Sequence, residues 1–437
     1  MMFSCNTSRP RRTLTHVGFV LKACIVLQCC SALGADLSSK LTSVIRVNSP
    51  EVAYADDLAD AYSSFDVQRA VDGSLICSAN GDRLSLSEDA IVDIREGLRF
   101  YGELVKKHPN EAWAHDLYGL CLFESGKPED ALMQFSRSIE LRPGWHIPWC
   151  HRGILYLSRG FAKEAASDFD ESLRLKQSRF GYYSRSALRY YVCDTDGAIE
   201  DLSRALELHL SIRCLRRRAS FYMMKGRHDL AVADASKIIA QLPEDDDAFE
   251  LRARARLLKG EYQSAISDYD VALRIRLSAD RYFDRATALI CINQFREAEA
   301  DCTECIRVYG LDEKAVYLRS VALLSQKLYD RALLDAQFCI KNTPENSKAR
   351  VVLASVYLHS PVLRDVKKAI EELTVACELT GWREGDTILD LASAHATDNN
   401  FLGAIEISRT ALLLPDTSAE FKSRASELIV KWSEATK

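Results

Sequence analysis

The stretch "YFDRATALICINQFREAEADCTE" (282–304) places Arg285 sixteen residues before Asp301. The same interval separates Arg152 from Asp168, Arg185 from Asp201, Arg218 from Asp234, Arg252 from Asp268, and Arg319 from Asp335. Successive arginines lie 33 or 34 residues apart. Self-similarity at one fixed step marks a tandem array, in which each unit buries its apolar face against its neighbours. The chain has 437 residues, too many for one ordinary compact core, which agrees.

The step runs wider than the charged pairs. Ala131, Ala165, Ala198, Ala231, Ala265, Ala298, Ala332, Ala369 and Ala404 follow one another at 34, 33, 33, 34, 33, 34, 37 and 35 residues. Twelve residues before most of them stands another small residue: Gly119, Gly153, Ser186, Ala219, Ala253, Ala286, Ser320 and Ala392. In the eighth unit Ala354 fills that role if "HSPVLRD" (359–365) carries three extra residues. Turn-forming stretches such as "ESGKPED" (124–130) and "SRGFAKE" (158–164) lie between the two small sites, and Pro143, Pro243 and Pro344 close units. Each unit therefore reads as two helices joined by a short turn. Phe135, Phe169 and Tyr269, four residues after an alanine, share its helical face and fill the gap that the small residues leave.

This geometry explains the charges. With the first residue of a unit numbered 1, the arginines fall at position 7 and the aspartates at position 23, nearly equidistant from the turn. In an antiparallel pair the two then face each other with an axial offset of about 3 Å. A guanidinium spans that and offers the carboxylate a fork of donors. The pairs read as a structural ladder rather than an anion site, since every cation has its counter-charge in register. Each Asp could equally reach the next unit's Arg, and the spacing leaves both pairings open. The first and last units lack the pair (Tyr118 with Gln134, Leu391 with Ile407), as end units of arrays do.

The chain closely resembles the tetratricopeptide repeat family. "HIPWCHRGILYLSRGFAKEAASDFDESLRLK" (146–176) shows the family's Trp149, Gly153, Tyr156, Ala165 and Phe169, and "DAFELRARARLLKGEYQSAISDYDVALRIR" (247–276) is nearly as complete. Two departures are Cys193, where a turn glycine is usual, and the few aromatics of the ninth unit. The resemblance implies an all-α fold, a right-handed superhelical solenoid of helix-turn-helix repeats. Nine repeats are expected over 112–415, N-terminal capping helices over 84–111 and a C-terminal capping helix over 416–437. Ser85 and Glu88 have capping-box spacing for the first of these helices. Residues 36–83 read as irregular.

The resemblance also implies a concave groove lined by positions 2, 5, 9 and 12 of the first helices. Carried onto this chain, those positions select Phe180, Tyr183 and Tyr190 in the third repeat and Arg213, Arg216 and Met223 in the fourth. Phe283 and Tyr317 follow from the sixth and seventh. Aromatics beside Arg and Met suit a peptide-binding surface. The Lys/Asn carboxylate clamp of chaperone-binding relatives is not matched, because the corresponding positions hold Asp116, Leu120, Cys150 and Ile154.

The formal net charge is −5. Residues 1–34 contain Arg9, Arg11, Arg12 and Lys22 and no acid, so the rest carries −5 − 4 = −9 and has no general attraction for nucleic acid. "MMFSCNTSRPRRTLTHVGFVLK" (1–22) is basic, "ACIVLQCCSALGA" (23–35) is apolar, and Ala32-Leu33-Gly34 supplies small residues, the pattern of an export signal cleaved near Ala35. Export to the periplasm or medium is expected, with an uncleaved membrane anchor as the alternative. Fourteen cysteines are present, ten of them after residue 35, and most fall on buried helix positions as small apolar residues.

No phosphate loop, G-x-S-x-G or H-E-x-x-H occurs. Cys302 and Cys305 form an isolated C-x-x-C on an inner helix face, and His146, Cys150 and His151 lack a fourth ligand for zinc. The expectation is a non-catalytic scaffold for a protein or peptide partner, with no cofactor or metal. The alternative is a substrate-presenting subunit whose catalytic residues lie on another chain.

Overall fold

The computed structural model describes residues 66–69, 75–79, 82–86, 94–415 and 417–436. The expected export signal, 1–35, lies outside the described residues. Two compact units divide the chain, Met1–Pro243 and Glu244–Lys437.

The first unit opens with a small antiparallel sheet where an irregular segment was expected. Strands β1 (Asp66–Arg69), β2 (Leu75–Ala79) and β3 (Asp82–Leu86) pair in that order. The missed signal is local. Ala79 pairs with Asp82, and the intervening dipeptide is Asn80-Gly81, the strongest short hairpin signature. Ser85 is paired with Ile76 in β3 and so does not open a helix. The alternation in "DRLSL" has period two, which a strand satisfies and a helix does not. A single helix, α1 (Ile94–Lys107), covers the first repeat.

Four helix pairs follow in this unit: α2 (Ala112–Glu124) with α3 (Pro128–Leu141), α4 (His146–Ser158) with α5 (Ala162–Leu175), α6 (Arg179–Tyr191) with α7 (Thr195–Leu208), and α8 (Ile212–Met224) with α9 (His228–Gln241). The second unit holds five: α10 (Asp246–Lys259) with α11 (Tyr262–Ile275), α12 (Ala279–Cys291) with α13 (Phe295–Tyr309), α14 (Glu313–Ser325) with α15 (Tyr329–Asn342), α16 (Ser347–His359) with α17 (Val366–Leu379), and α18 (Gly385–Thr397) with α19 (Phe401–Leu412). Helix α20 (Ala419–Ala435) closes the chain, buries Ala425 and Trp432, and lies so close to α18 that a Cβ on Gly385 would sit 2.5 Å from the Phe421 ring.

Close approach within a pair follows from the small residues. A Cβ on Gly119 or Gly153 would stand 2.7 Å from the ring of Phe135 or Phe169, so glycine there is what admits the aromatic. The periodic alanines from Ala131 to Ala404 are fully buried. The turns need a left-handed residue, supplied by Gly126, Gly160, Gly226 and Gly260. Cys193 holds the same conformation at φ 64°, so the third repeat keeps its turn without glycine at a backbone cost of about 1 kcal/mol. Cys305 and Cys339 are buried, and their thiols reach the Ala279 and Glu313 carbonyls. The equivalent residues of the first two repeats, Ser138 and Ser172, donate to Ala112 and His146.

All six Arg–Asp pairs close within their own repeat. Nε and Nη2 donate to the two carboxylate oxygens: 2.8 and 2.8 Å for Arg152–Asp168, 3.0 and 2.7 Å for Arg185–Asp201, and 2.8 and 2.8 Å for Arg218–Asp234. The same fork joins Arg252 to Asp268, Arg285 to Asp301 and Arg319 to Asp335. The third donor, Nη1, has a separate target. It reaches Asp170 from Arg185, Asp270 from Arg285, Ser136 from Arg152 and Ser203 from Arg218, each on the second helix of the preceding repeat. Those four arginines therefore each clamp one hairpin and staple it to the one before.

Candidate partner-binding face

The face of interest lies in the first unit, where α6 and α8 run side by side. Tyr183, one turn into α6, is met by two guanidiniums from α8: Arg217 at 4.3 Å and Arg213 at 5.1 Å from the ring centroid. Cation–ring contacts of this kind contribute about 0.5–2 kcal/mol each, more when dry. Burial raises the Cys214 thiol above its usual range, against the Ser211 hydroxyl and the nearby Arg179, Arg217 and Arg213. Three arginines thus converge around the start of α8.

Farther along α6, Tyr190 is 45% exposed and stacks on Phe221 of α8 at 4.9 Å. Tyr191 and Val192 beside it are exposed as well, and α8 ends in half-buried Met223 and 60%-exposed Met224. One end of this face is cationic and the other apolar.

Not every residue expected at the surface is there. Phe180 is only 5% exposed and belongs to the core, edge-on to the His151 ring at 5.5 Å. The cause is packing between successive first helices, which closes the face at positions that a solitary hairpin would expose. Arg216 is half-buried, like Arg213 and Arg217, and has interactions of its own. Arg217, outside the expected positions, is the residue that joins Arg213 at the ring. Its signal was the run "RCLRRR" (213–218), whose members the repeat numbering treated as separate. Phe283 and Tyr317 belong to the other unit, half-buried against a core of Ala286, Leu289 and Leu318.

The motifs with chemical potential are internal. Cys302 and Cys305 are buried, and burial pushes the Cys302 thiol up to about 12, far from a thiolate. His146, Cys150 and His151 diverge. His151 Nδ1 lies 3.0 Å from buried Asp116, and Cys150 meets Ser172. Burial, with Lys176 and His151 nearby, lowers His146 to about 4.

One network was missed altogether. Arg281 is 1% exposed and donates to Glu250 at 2.7 Å, to Asp247 at 2.9 Å and to the Arg276 carbonyl at 2.8 Å, with Asp246 at 2.6 Å. Arg276 caps two of these acids, Asp246 and Asp247, from outside. The legible sign was an acidic run, "EDDD" (244–247), one repeat step before two arginines.

Residues 222–280 match the tetratricopeptide repeat family model. Human DnaJ homolog subfamily C member 3 is 23% identical over 208 residues, 44% of this chain and 41% of that protein. Human sperm-associated antigen 1 is 23% identical over 243 residues, 54% of this chain and 26% of that protein. The chain therefore spans well under half the length of these relatives. The crystal structure of yeast Tom70 is 13% identical with a TM-score of 0.43, covering 78% of this chain and 93% of that one.

Proposed function

Because this chain carries tandem tetratricopeptide repeats, we propose that it is a non-catalytic scaffold that holds a protein partner on the α6–α8 face, outside the cytoplasm. Repeats of this kind typically serve protein–protein interaction. The observation that carries the reading is the pairing of half-buried Tyr183 with exposed Tyr190 one helical face along, flanked by Arg213, Arg217 and Met224. Tyr, Arg and Met are the side chains that give interfaces their anchors. The export half of the proposal rests on the basic and apolar segments of residues 1–35.

The test is position-specific crosslinking in the native compartment. A photoreactive side chain at Tyr190 should trap a partner, whereas one at Arg204, exposed on α7, should not. Crosslinks from Arg204 alone would place the contact on the other side of the array and overturn the assignment.

A further inference from the structure

Between residues 212 and 227 the chain has six basic residues and no acidic one. Arg218 is neutralised by Asp234, while Lys225 and Arg227 share Asp196. Arg213 and Arg217 differ. Among the described residues neither has a carboxylate partner, and both rest on the Tyr183 ring. Two like charges on one ring repel each other, and the ring's quadrupole offsets only part of that repulsion. The uncompensated charge sits in a chain that is acidic overall, so it marks a local site for an anion.

The apolar end supplies the second requirement. Tyr190 follows Tyr183 by seven residues, about 10 Å along a helix at 1.5 Å per residue. An extended chain covers that distance in about three residues at ~3.3 Å each. We infer that the face takes an extended acidic segment of a protein partner. Its Asp or Glu carboxylates sit against Arg213 and Arg217, and a large apolar side chain about three residues along sits against Tyr190. This rests on the scaffold reading and adds the chemistry of the partner. Affinity comes from desolvated contacts at the two ends, because the overall acidity of the chain opposes long-range steering of an acidic segment.

The experiment is fluorescence anisotropy of the full chain with a labelled peptide of Glu-Glu-Gly-Ser-Phe blocks. Counterparts carry Gln for Glu, phosphoserine for Glu, or Ala for Phe. The Glu peptide should bind more weakly as salt rises. The Gln counterpart should lose about tenfold, and Arg213→Ala and Arg217→Ala should lose about 5–10-fold each, as interface anchors do. Both variants should still melt cooperatively, with only the small drop that loss of one cation–ring contact entails. Tyr190→Ala should weaken the Phe peptide and leave the Ala counterpart unchanged. Equal binding of Glu and Gln peptides, or wild-type binding by the melting-competent double variant, overturns the proposal. Preference for the phosphoserine peptide overturns the carboxylate assignment. If every peptide fails while a partner still crosslinks through Tyr190, this inference falls and the scaffold reading stands.

Discussion

Arg185 Nη1 lies 2.8 Å from Asp170 Oδ1, a carboxylate of the preceding repeat, while its other two donors hold Asp201 in its own. The two acids are not equivalent. Asp201 is buried and Asp170 is largely exposed. Asp201→Ala should cost about 3–5 kcal/mol, because it leaves a guanidinium half-buried without its main counter-charge. Asp170→Ala should cost less than about 1 kcal/mol, the range of solvent-screened pairs. Urea melts of the two variants check the ratio.

The ladder is not uniform. Asp268 receives Arg252 and also Arg256 Nη1 at 2.7 Å, whereas Asp168 is held by Arg152 alone among the contacts described. Arg152→Ala should destabilise by about 2–4 kcal/mol and Arg252→Ala by about 1–2, since Arg256 still neutralises the acid in the second case. A double-mutant cycle on Arg152 and Asp168 should give a coupling clearly above zero; a coupling near zero would remove the intra-repeat clamp as a stabilising element.

Among the described residues Arg281 is the largest fully buried side chain, and it answers for Glu250, Asp246 and Asp247 together. Arg281→Met preserves much of the volume and removes the charge, while Arg276 still holds Asp246 and Asp247 and Arg254 still approaches Glu250. A loss of about 1–3 kcal/mol is expected, between the exposed and buried limits. Hydrogen exchange should show the change in the second unit, at 246–291, with the first unit unaffected.

The pH dependence should carry a signature of His146, whose folded-state value of about 4 lies below the ordinary 6.5. A depressed histidine favours the neutral form in the fold. Its contribution is therefore present above pH 6.5 and is lost as pH falls from 6.5 toward 4, amounting to about 2–3 kcal/mol at the lower end. Thermal melts between pH 7 and pH 4.5 (pH values chosen around the ordinary histidine range) should fall less steeply for His146→Gln than for wild type.

Export predicts a mature N-terminus near Ala35 or Asp36. Intact-mass measurement of the native protein reads this directly. Met1 or Met2 retained in a soluble cytoplasmic fraction would end the proposal, and retained in a membrane fraction would favour an anchor.

The sequence alone determined the repeat step, the helix pairs and the register that sets Arg152 opposite Asp168 and Arg285 opposite Asp301, while leaving open whether each pair closes within its repeat. These features depend on spacing within one hairpin, and a rise of 1.5 Å per residue with a short turn leaves little freedom. It also carried signs that the period masked, Asn80-Gly81 between strands and "EDDD" before Arg281, because a 33-residue rhythm directs attention to positions that recur. The tertiary structure decided everything that depends on how one repeat settles on the next. It closed each Arg–Asp pair within its own repeat, sent the third donor of four clamps to Ser136, Asp170, Ser203 and Asp270, buried Phe180, and brought Arg217 to Tyr183. Those outcomes turn on the rotation and distance between stacked hairpins. That geometry is set by the summed packing of many side chains, and no single interval along the chain encodes it.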